Sequence, residues 1–438
     1  MTKSTCFVAV VSAALTLLTP TATRAADQTQ PGAGNTAAAT LASRSPLVQG
    51  AYQFLQRQVN RIQDATIRNR TYDAIVNAST CIQSRAGLSE DQKSTILQVL
   101  QDQGLVNPAD AGSITGGLRA GVFPPVVNDG SACPNLPMPF YAAPGSAYGG
   151  HHSYPGGLPV HEMFNSVSSM NFAASYRDVY GSTGQTGLPS PVAPELVSDN
   201  TGADVFISQD LVVAAPLWHD WAKPIVFQWN ADGSEFTELN FGGNGTTDAW
   251  GQPGDSRTGA HHIITIAEMI KRGLPAELVI TMASAHSAPT SGNEYKVVNW
   301  LRAAALLAQI DPVAQGFLYT DAQGRLRLPQ LRSLGTVDLL AGASSLSHTN
   351  TLPEYVVHNL SDADFNLTGP AVTEIQTVLA AVAPTFGFNP ASTSDYNNKF
   401  RNRVLSYLSA ERLLMIYANS GAAGVTNEIN KIADKLTN

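Results

Sequence analysis

Seven of the nine histidines in this chain lie between positions 151 and 286, in short clusters that also include an aspartate. The clustered residues are His151, His152, His161, His219, Asp220, His261, His262 and His286. This spacing constrains the fold, because the ligands of one ion must be brought together by the packing of the segments that carry them. Imidazole and carboxylate together suit Zn, Mn, Fe or Ni better than Ca, which prefers oxygen alone. The sequence therefore predicts one or two divalent transition-metal ions in a helical core.

Apolar residues recur at three- and four-residue spacing through most of the chain, which is the period of an amphipathic helix. Helices are predicted at about 46–67, 90–100, 158–178, 211–222, 260–271, 276–285, 296–309, 353–359, 370–384 and 397–418. Ser89 precedes the second of these helices and is a candidate N-cap. Residues 225–229 and 236–241 flank Asp232-Gly233, a pair that favours a hairpin turn. The predicted fold class is mostly α with one inserted β-hairpin.

Composition changes along the chain divide it into segments. These are a signal peptide (1–26), a mobile leader (27–45), an N-terminal helical region (46–130), a metal-binding domain (131–312) and a C-terminal helical region (313–438). The signal peptide is indicated by Lys3, a short apolar run from Phe7 to Leu18, and small residues before Asp27. We therefore expect a periplasmic or secreted protein. No later window is apolar and long enough to predict a membrane span.

Two cysteines follow the predicted signal peptide, Cys81 and Cys133. In an oxidising compartment they could form a disulfide, although the sequence does not show whether their Cα atoms approach closely enough. A soft metal-ligand pair is the alternative, but the pair lacks the Cys-x-x-Cys spacing of such sites. The formal net charge of -8 argues against a nucleic-acid groove, since contacts from Lys and Arg to phosphate dominate such binding.

Two local strings carry a resemblance to a known family. His152 to His161 reads His-Ser-Tyr-Pro-Gly-Gly-Leu-Pro-Val-His, and Leu217 to Lys223 reads Leu-Trp-His-Asp-Trp-Ala-Lys. With a later His that opens a helix and another His after it, this order resembles the HD-domain superfamily of metal-dependent phosphohydrolases. The exoribonuclease and nucleotidase branches are especially similar. The resemblance covers roughly residues 150–310 and implies an HD-domain helical bundle with additional helical regions at both ends.

The resemblance implies roles for individual residues. The implied metal ligands are His161, His219, Asp220, His262 and His286. His262 is favoured over His261 because Glu268 follows it at the family's spacing. Lys223 would face the substrate phosphate and act in catalysis with Asp220, and His152 and His261 would contact the substrate. Two other roles stay open, since His286 could cap a helix C-terminus and Lys223 could be a solvated charge.

One expected ligand is missing. The family ends its metal set with an Asp on a later helix, usually after Ala, and the best alignment places Ala305 there. Asn299 and Asp311 are the nearest polar residues, and neither has the expected helical phase. Asp248 or Asp255, in the loop before His261, could reach in instead. The standard two-metal arrangement therefore does not follow from the sequence.

The implied activity is that of an exported phosphohydrolase acting on a small phosphorylated molecule, either a phosphomonoester or a phosphodiester, through a metal-bound hydroxide. Two alternatives stay open. Some HD-fold proteins use a di-iron centre to activate oxygen, and a degenerate HD domain would bind a ligand without catalysis. The Ala305 position favours the degenerate domain. His151 and His152 are expected to line the pocket rather than bind metal, and His348 and His358 carry no functional signal.

Overall fold

The computed structural model describes residues 32–181, 206–235, 237–242, 256–289, 293–329 and 352–436. Its helices are α1 (Asn35–Arg44), α2 (Pro46–Val59), α3 (Ala65–Ile75), α4 (Glu90–Asp102), α5 (Gly117–Val122), α6 (Gly157–Tyr180), α7 (Gln209–Trp218), α8 (Lys223–Val226), α9 (Ala260–Lys271), α10 (Ala276–Ala283), α11 (Glu294–Ala308), α12 (Pro353–Ser361), α13 (Phe365–Val382), α14 (Thr393–Tyr396), α15 (Asn402–Leu408), α16 (Ala410–Asn430) and α17 (Ala433–Leu436). Two antiparallel pairs of strands accompany them, β1 (Asn240–Phe241) with β2 (Thr258–Gly259) and β3 (Tyr319–Thr320) with β4 (Leu326–Arg327). The predicted mostly α class is confirmed.

Local sequence signals located several helices well. Helix α9 covers the predicted range 260–271. Ser89 is the N-cap of α4, as predicted. Its Oγ accepts a hydrogen bond from the Gln92 amide, and the Gln92 side chain accepts one from the Ser89 amide. This reciprocal capping box satisfies two amides that have no partner within the helix. The predicted helix at 397–418 is interrupted, because Ser409 at the start of α16 has a φ of 57°.

Part of the predicted leader is ordered, which corrects the expectation for residues 27–45. Residues 35–44 form α1, whose alanines give it high helix propensity although they provide little apolar contrast. Its first residue, Asn35, donates from Nδ2 to the Pro137 carbonyl at 3.1 Å and accepts from the Trp229 amide at 2.8 Å. These long-range contacts explain why a segment without apolar periodicity is fixed. The signal-peptide segment lies outside the described residues and stays a prediction.

The predicted β-hairpin is wrong. Lys223–Val226 form the short helix α8, with Pro224 in its first turn, where proline is favoured. Trp229 and Glu235 make only an isolated bridge. Instead of pairing with 225–229, β1 pairs with β2, which runs directly into α9. This pairing fixes the start of the helix that carries His261 and His262.

The main core is formed by helices from both sides of the histidine-rich stretch. Helix α6 packs against α2, α7 and α12, and α9 packs against α11. Trp218, Trp221 and Trp229 are buried in this core. Helix α12 also contacts α7 and α10, so a helix from the predicted C-terminal region is part of the wall around the histidines. No helix in the described part of the chain combines the length and the apolarity needed to cross a membrane.

A second core lies between α13, α15 and α16, and Tyr154 is buried in it. Cys81 and Cys133 form a disulfide, with their Cα atoms 5.1 Å apart. The segment after Cys81 is also held by α9, because the amides of Gln83 and Ser84 donate to Glu268 at 2.9 Å. The disulfide therefore anchors the turn on which the C-terminal half of α9 packs.

Candidate metal centre

Side chains from the ends of several helices converge in the core. We name this group the histidine cluster; it consists of His161, His219, Asp220, His261, His262, His286 and Asp362. His161 lies near the start of α6, and His219 and Asp220 directly follow α7. His261 and His262 lie in the first turn of α9. The structure thus brings together every metal ligand that the sequence predicted, and it adds Asp362 directly after α12.

Three members of the histidine cluster form a first group. Asp362 Oδ1 lies 3.1 Å from His161 Nε2 and 3.0 Å from His219 Nε2. All three side chains are buried, and one ligand atom from each falls within 4.8 Å of the others. Asp362 therefore supplies this group with a carboxylate that sequence reasoning did not find. Its only signal was an Asp-Ala-Asp string at the end of a helix, outside the region of resemblance.

Asp220, His261 and His286 form a second group of the same compactness. Asp220 Oδ1 lies 3.3 Å from His261 Nε2. The Asp220 carboxylate also approaches the first group, since Oδ2 lies 3.4 Å from His161 Nε2 and Oδ1 lies 3.5 Å from His219 Nε2. Asp220 therefore lies between the two groups and within reach of both.

These distances between ligand atoms are those expected when neighbouring atoms bind the same metal ion. With metal–ligand bonds of about 2.1 Å, neighbouring ligand atoms lie about 3.0 Å apart in octahedral geometry and about 3.4 Å apart in tetrahedral geometry. His161 Nε2 is fully buried, yet no hydrogen bond of normal geometry satisfies it within the described residues. A buried polar atom without a partner is costly, unless an ion or water completes the site. The donor set therefore fits divalent metal ions.

The rear nitrogen of three histidines in the histidine cluster lies close to an oxygen. His161 Nδ1 lies 3.1 Å from Asp364 Oδ1, an ion-pair contact without hydrogen-bond geometry, and His286 Nδ1 lies 2.7 Å from Thr258 Oγ1. His261 Nδ1 lies 2.7 Å from Glu238 Oε2, and the same carboxylate oxygen accepts from the His261 amide. Such contacts fix the ring and direct Nε2 to the ion, as is usual for metal-binding histidines. Sequence reasoning missed Asp364 and Glu238, which lie far from their partners along the chain.

His262 has a different environment from His261. Its ring stacks on His286 at a centroid distance of 4.1 Å and contacts the edge of Trp300 at 4.9 Å. Neither of its ring nitrogens has a hydrogen-bond partner among the described residues. Glu268, whose spacing favoured His262, instead accepts from Arg272 Nε at 2.8 Å. The geometry therefore places His261 beside Asp220, while His262 forms a further compact group of ligand atoms with His219 and His286.

Lys223 is buried against the histidine cluster, so it is not a solvated surface charge. Its ammonium group contacts the Asp220 carboxylate and donates to the Gly145 carbonyl. His152 also lies beside the cluster, with its ring 5.3 Å from that of His161. His358 is buried with its ring 5.4 Å from that of His219. His358 therefore lies beside the histidine cluster, although the sequence carried no signal for a functional role.

The candidates for the missing carboxylate that the structure describes do not join the histidine cluster. Ala305 is buried in α11. Asn299 donates to Ser256 Oγ, and Asp311 accepts from the amides of Val313 and Ala314 in a turn. Asp248, Asp255 and His348 lie outside the described residues. In the described part of the chain, Asp362 is therefore the carboxylate that joins the predicted candidate ligands.

Burial and close charges move the pKa values in opposite directions. Burial alone would raise the pKa of Asp220 and of Asp362, but the positive charge on nearby His219 lowers both well below the usual range. Burial would lower the pKa of His219, but Asp220 and Asp362 raise it to about 9. Burial lowers the pKa of His262 and His286 well below the usual value. At neutral pH the carboxylates are therefore anionic and these last two rings neutral, which are the forms that bind metal.

Comparison of the chain with protein-family models, curated proteins and solved structures finds no match. Function is therefore inferred from the geometry and chemistry of the histidine cluster rather than from relatives.

Proposed function

We propose that this protein is a dinuclear, metal-dependent phosphohydrolase of the HD type that acts on a small phosphorylated molecule. The observation that carries the proposal is the position of Asp220 between two compact groups of ligand atoms. One carboxylate with a histidine on each side is suited to bridge two ions. Two ions can stabilise the attacking and leaving oxygens of a phosphoester.

The proposed ligands follow from the distances. His161, His219 and Asp362 hold the first ion, and His261 and His286 hold the second. Asp220 contacts both. This assignment places His261 beside Asp220 and supplies the last carboxylate from Asp362. His262 lies within reach of His219 and His286 and is a further candidate ligand. The order of these residues along the chain agrees with the order that resembles the HD superfamily, which supports the proposed family. Asp362 also removes the main reason to regard the domain as degenerate.

The surrounding residues orient the ligands and stabilise charge. When bound, divalent ions lower the pKa of water and neutralise charge on a phosphoryl group. Glu238, Asp364 and Thr258 hold three of the imidazole rings in the orientation that the ions need. Lys223 has three N–H donors, of which Asp220 and Gly145 engage two. The third could reach a substrate oxygen beside Asp220, which is the role that the sequence suggested.

The compartment is part of the proposal. A disulfide persists in oxidising compartments and is rare in the cytosol. The Cys81–Cys133 disulfide therefore supports the predicted export to the periplasm or the cell exterior.

A di-iron oxygenase is the second candidate. The six proposed ligands are four imidazoles and two carboxylates, and such a nitrogen-rich set also suits iron. The two candidates differ in metal preference and in reaction, so one preparation distinguishes them.

The test uses the mature chain, produced separately with Zn, Mn and Fe. Elemental analysis should give at least about 0.5 ion per chain, and less than about 0.1 in folded protein would contradict a metal centre. Each preparation is then assayed with phosphomonoesters and phosphodiesters and for oxygen uptake. Phosphoester turnover supports the proposal. Oxygen uptake by the iron form, without phosphoester turnover, supports the oxygenase instead.

A further inference from the structure

A second set of polar side chains lies beside the first group of ligands, on the side of His161 that faces Asp364. It consists of His151, His152, Tyr154, Asp364 and Glu411, and we call it the His152 cluster. Buried atoms of all five members have no hydrogen-bond partner among the described residues. They are His151 Nδ1, His152 Nδ1, Tyr154 Oη, Asp364 Oδ1 and Glu411 Oε1. Buried polar atoms are nearly always paired, so this concentration indicates a ligand.

The contacts of His152 with the two carboxylates are too long for hydrogen bonds but within ion-pair distance. His152 Nε2 lies 3.7 Å from Glu411 Oε1 and 3.9 Å from Asp364 Oδ2. One ring nitrogen each of His151, His152 and His161 falls within a span of 4.8 Å. The measured distances are slightly wider than the roughly 3.4 Å between neighbouring ligands of a tetrahedral site. A small inward movement of the side chains would therefore close the site.

The two carboxylates of the His152 cluster have histidines as their ion-pair partners in the described part of the chain. The side chain of Asp364 is 5 % exposed and that of Glu411 is 16 % exposed. None of these ion-pair partners is a Lys or Arg residue. Two nearby buried anions are costly without a positive charge between them. A divalent cation would supply that charge.

The backbone holds His152 in an uncommon conformation. Its φ is 50°, in the left-handed region that non-glycine residues seldom adopt. The Gly145 and Tyr154 amides donate to the His152 carbonyl at 2.9 and 2.8 Å. A Cβ at Gly157 would lie 1.8 Å from the same carbonyl oxygen, so only glycine fits there. These contacts fix the loop and thereby direct the His152 ring towards Asp364 and Glu411.

We propose that His151, His152, Asp364 and Glu411 bind a third divalent cation next to the two ions of the proposed centre. Two imidazoles and two carboxylates suit Zn, Mn or Fe. The proposal rests on the proposed function only for the neighbouring ions, because these donors are not ligands in the dinuclear centre. It also gives the C-terminal helices a role, since Asp364 precedes α13 and Glu411 lies in the first turn of α16.

The test counts and locates ions in the mature chain loaded with Zn or Mn. The variants are His152→Asn, which suits a positive φ but removes the imidazole, and Glu411→Gln. Glu428→Gln is the matched control, because Glu428 follows the kink at Gly421 in α16 and pairs with Arg412 and Lys431. We expect about three ions per chain in the parent and the control and about two in either variant. Thermal unfolding verifies folding, and either variant alone tests the site.

Anomalous diffraction at the metal edge then locates the ions. A peak between His152 and Glu411 supports the third site whatever the total count. If the parent and both variants hold two ions each, and no such peak is present, the third site is refuted and the dinuclear centre stands. If the folded parent holds no metal at all, both proposals are refuted.

Discussion

Two largely buried polar groups lie at opposite ends of α9 and differ in whether their polar atoms have hydrogen-bond partners. At the C-terminal end, Arg272 donates to Glu268, Asp73, Thr80 and the Cys81 carbonyl at 2.6–2.9 Å. We call this group the Arg272 network. At the N-terminal end is the histidine cluster, where ring nitrogens of His161, His219 and His262 have no hydrogen-bond partner in the described part of the chain.

The difference indicates what each group does. A buried charge that stabilises a fold needs all its partners within the protein. A metal site needs the reverse, because atoms aimed at an ion cannot also be used up by hydrogen bonds. Both groups are fixed by the same helix, and the Arg272 network holds that helix against the disulfide-linked segment. The structure thus places a hydrogen-bonded network at one end of α9. At the other end it places a group whose ring nitrogens lack hydrogen-bond partners in the described part of the chain.

The largest expected effect concerns the Arg272 network. Arg272→Met should lower the free energy of unfolding by about 3–5 kcal/mol, because it leaves the buried Glu268 carboxylate without its cation. The measurement is urea unfolding of the metal-free protein. Arg119→Met is the control, since Arg119 pairs with Glu90 at the surface and should cost at most about 1 kcal/mol. Similar losses in the two variants would contradict a structural role for the network.

The histidine cluster should show its effect on turnover. Asp362→Ala and Asp220→Ala should each reduce turnover by about 100-fold or more, because each removes a ligand. Metal content and turnover are measured together. Asp311→Ala is the control, because Asp311 accepts only backbone amides in a surface turn. Turnover within about tenfold of the parent in either cluster variant would contradict its assignment as a ligand.

A substitution of Lys223 tests whether its ammonium group, which lies beside Asp220, contacts the substrate. Lys223→Met should weaken binding of a phosphorylated substrate by about 2 kcal/mol, the loss typical of a hydrogen bond to a charged group. Metal content should not change. Lys271→Met is the control, since Lys271 donates to the Ala308 carbonyl at the far end of α9. If Lys223→Met hydrolyses phosphoesters as well as the parent, the contact with substrate is absent.

The smallest effect is a release of protons on metal binding. Without metal, the carboxylates of Asp220 and Asp362 raise the pKa of His219 to about 9, against the effect of burial. The pKa of His161 is likewise raised, so both rings carry a proton at pH 7.5 that an ion must displace. Metal affinity should therefore fall as the pH is lowered. Calorimetric titration in two buffers of different ionisation enthalpy should show about two protons released per chain, and no release would contradict these roles.

Local sequence determined much of the scaffold. Helix α9 has the predicted bounds because its apolar residues recur with the helical period over three turns. The Ser89 cap follows from residues only three positions apart. The histidines that meet in the histidine cluster could also be recognised, since their residue types and their order resemble those of a known metal-binding family. Each of these inferences depends on nearby residues or on residue identity.

Only the tertiary structure decided which atoms meet. Asp362 follows Asp220 by more than a hundred positions, and Glu238 reaches His261 only because β1 pairs with β2. His261 and His262 are adjacent in sequence, yet one ring lies beside Asp220 while the other stacks on His286. Periodicity places a residue on one face of its own helix, but helix packing determines which distant side chain faces it. For this reason the sequence by itself determined the helices and the ligand types, whereas packing alone selected the carboxylates that complete the centre.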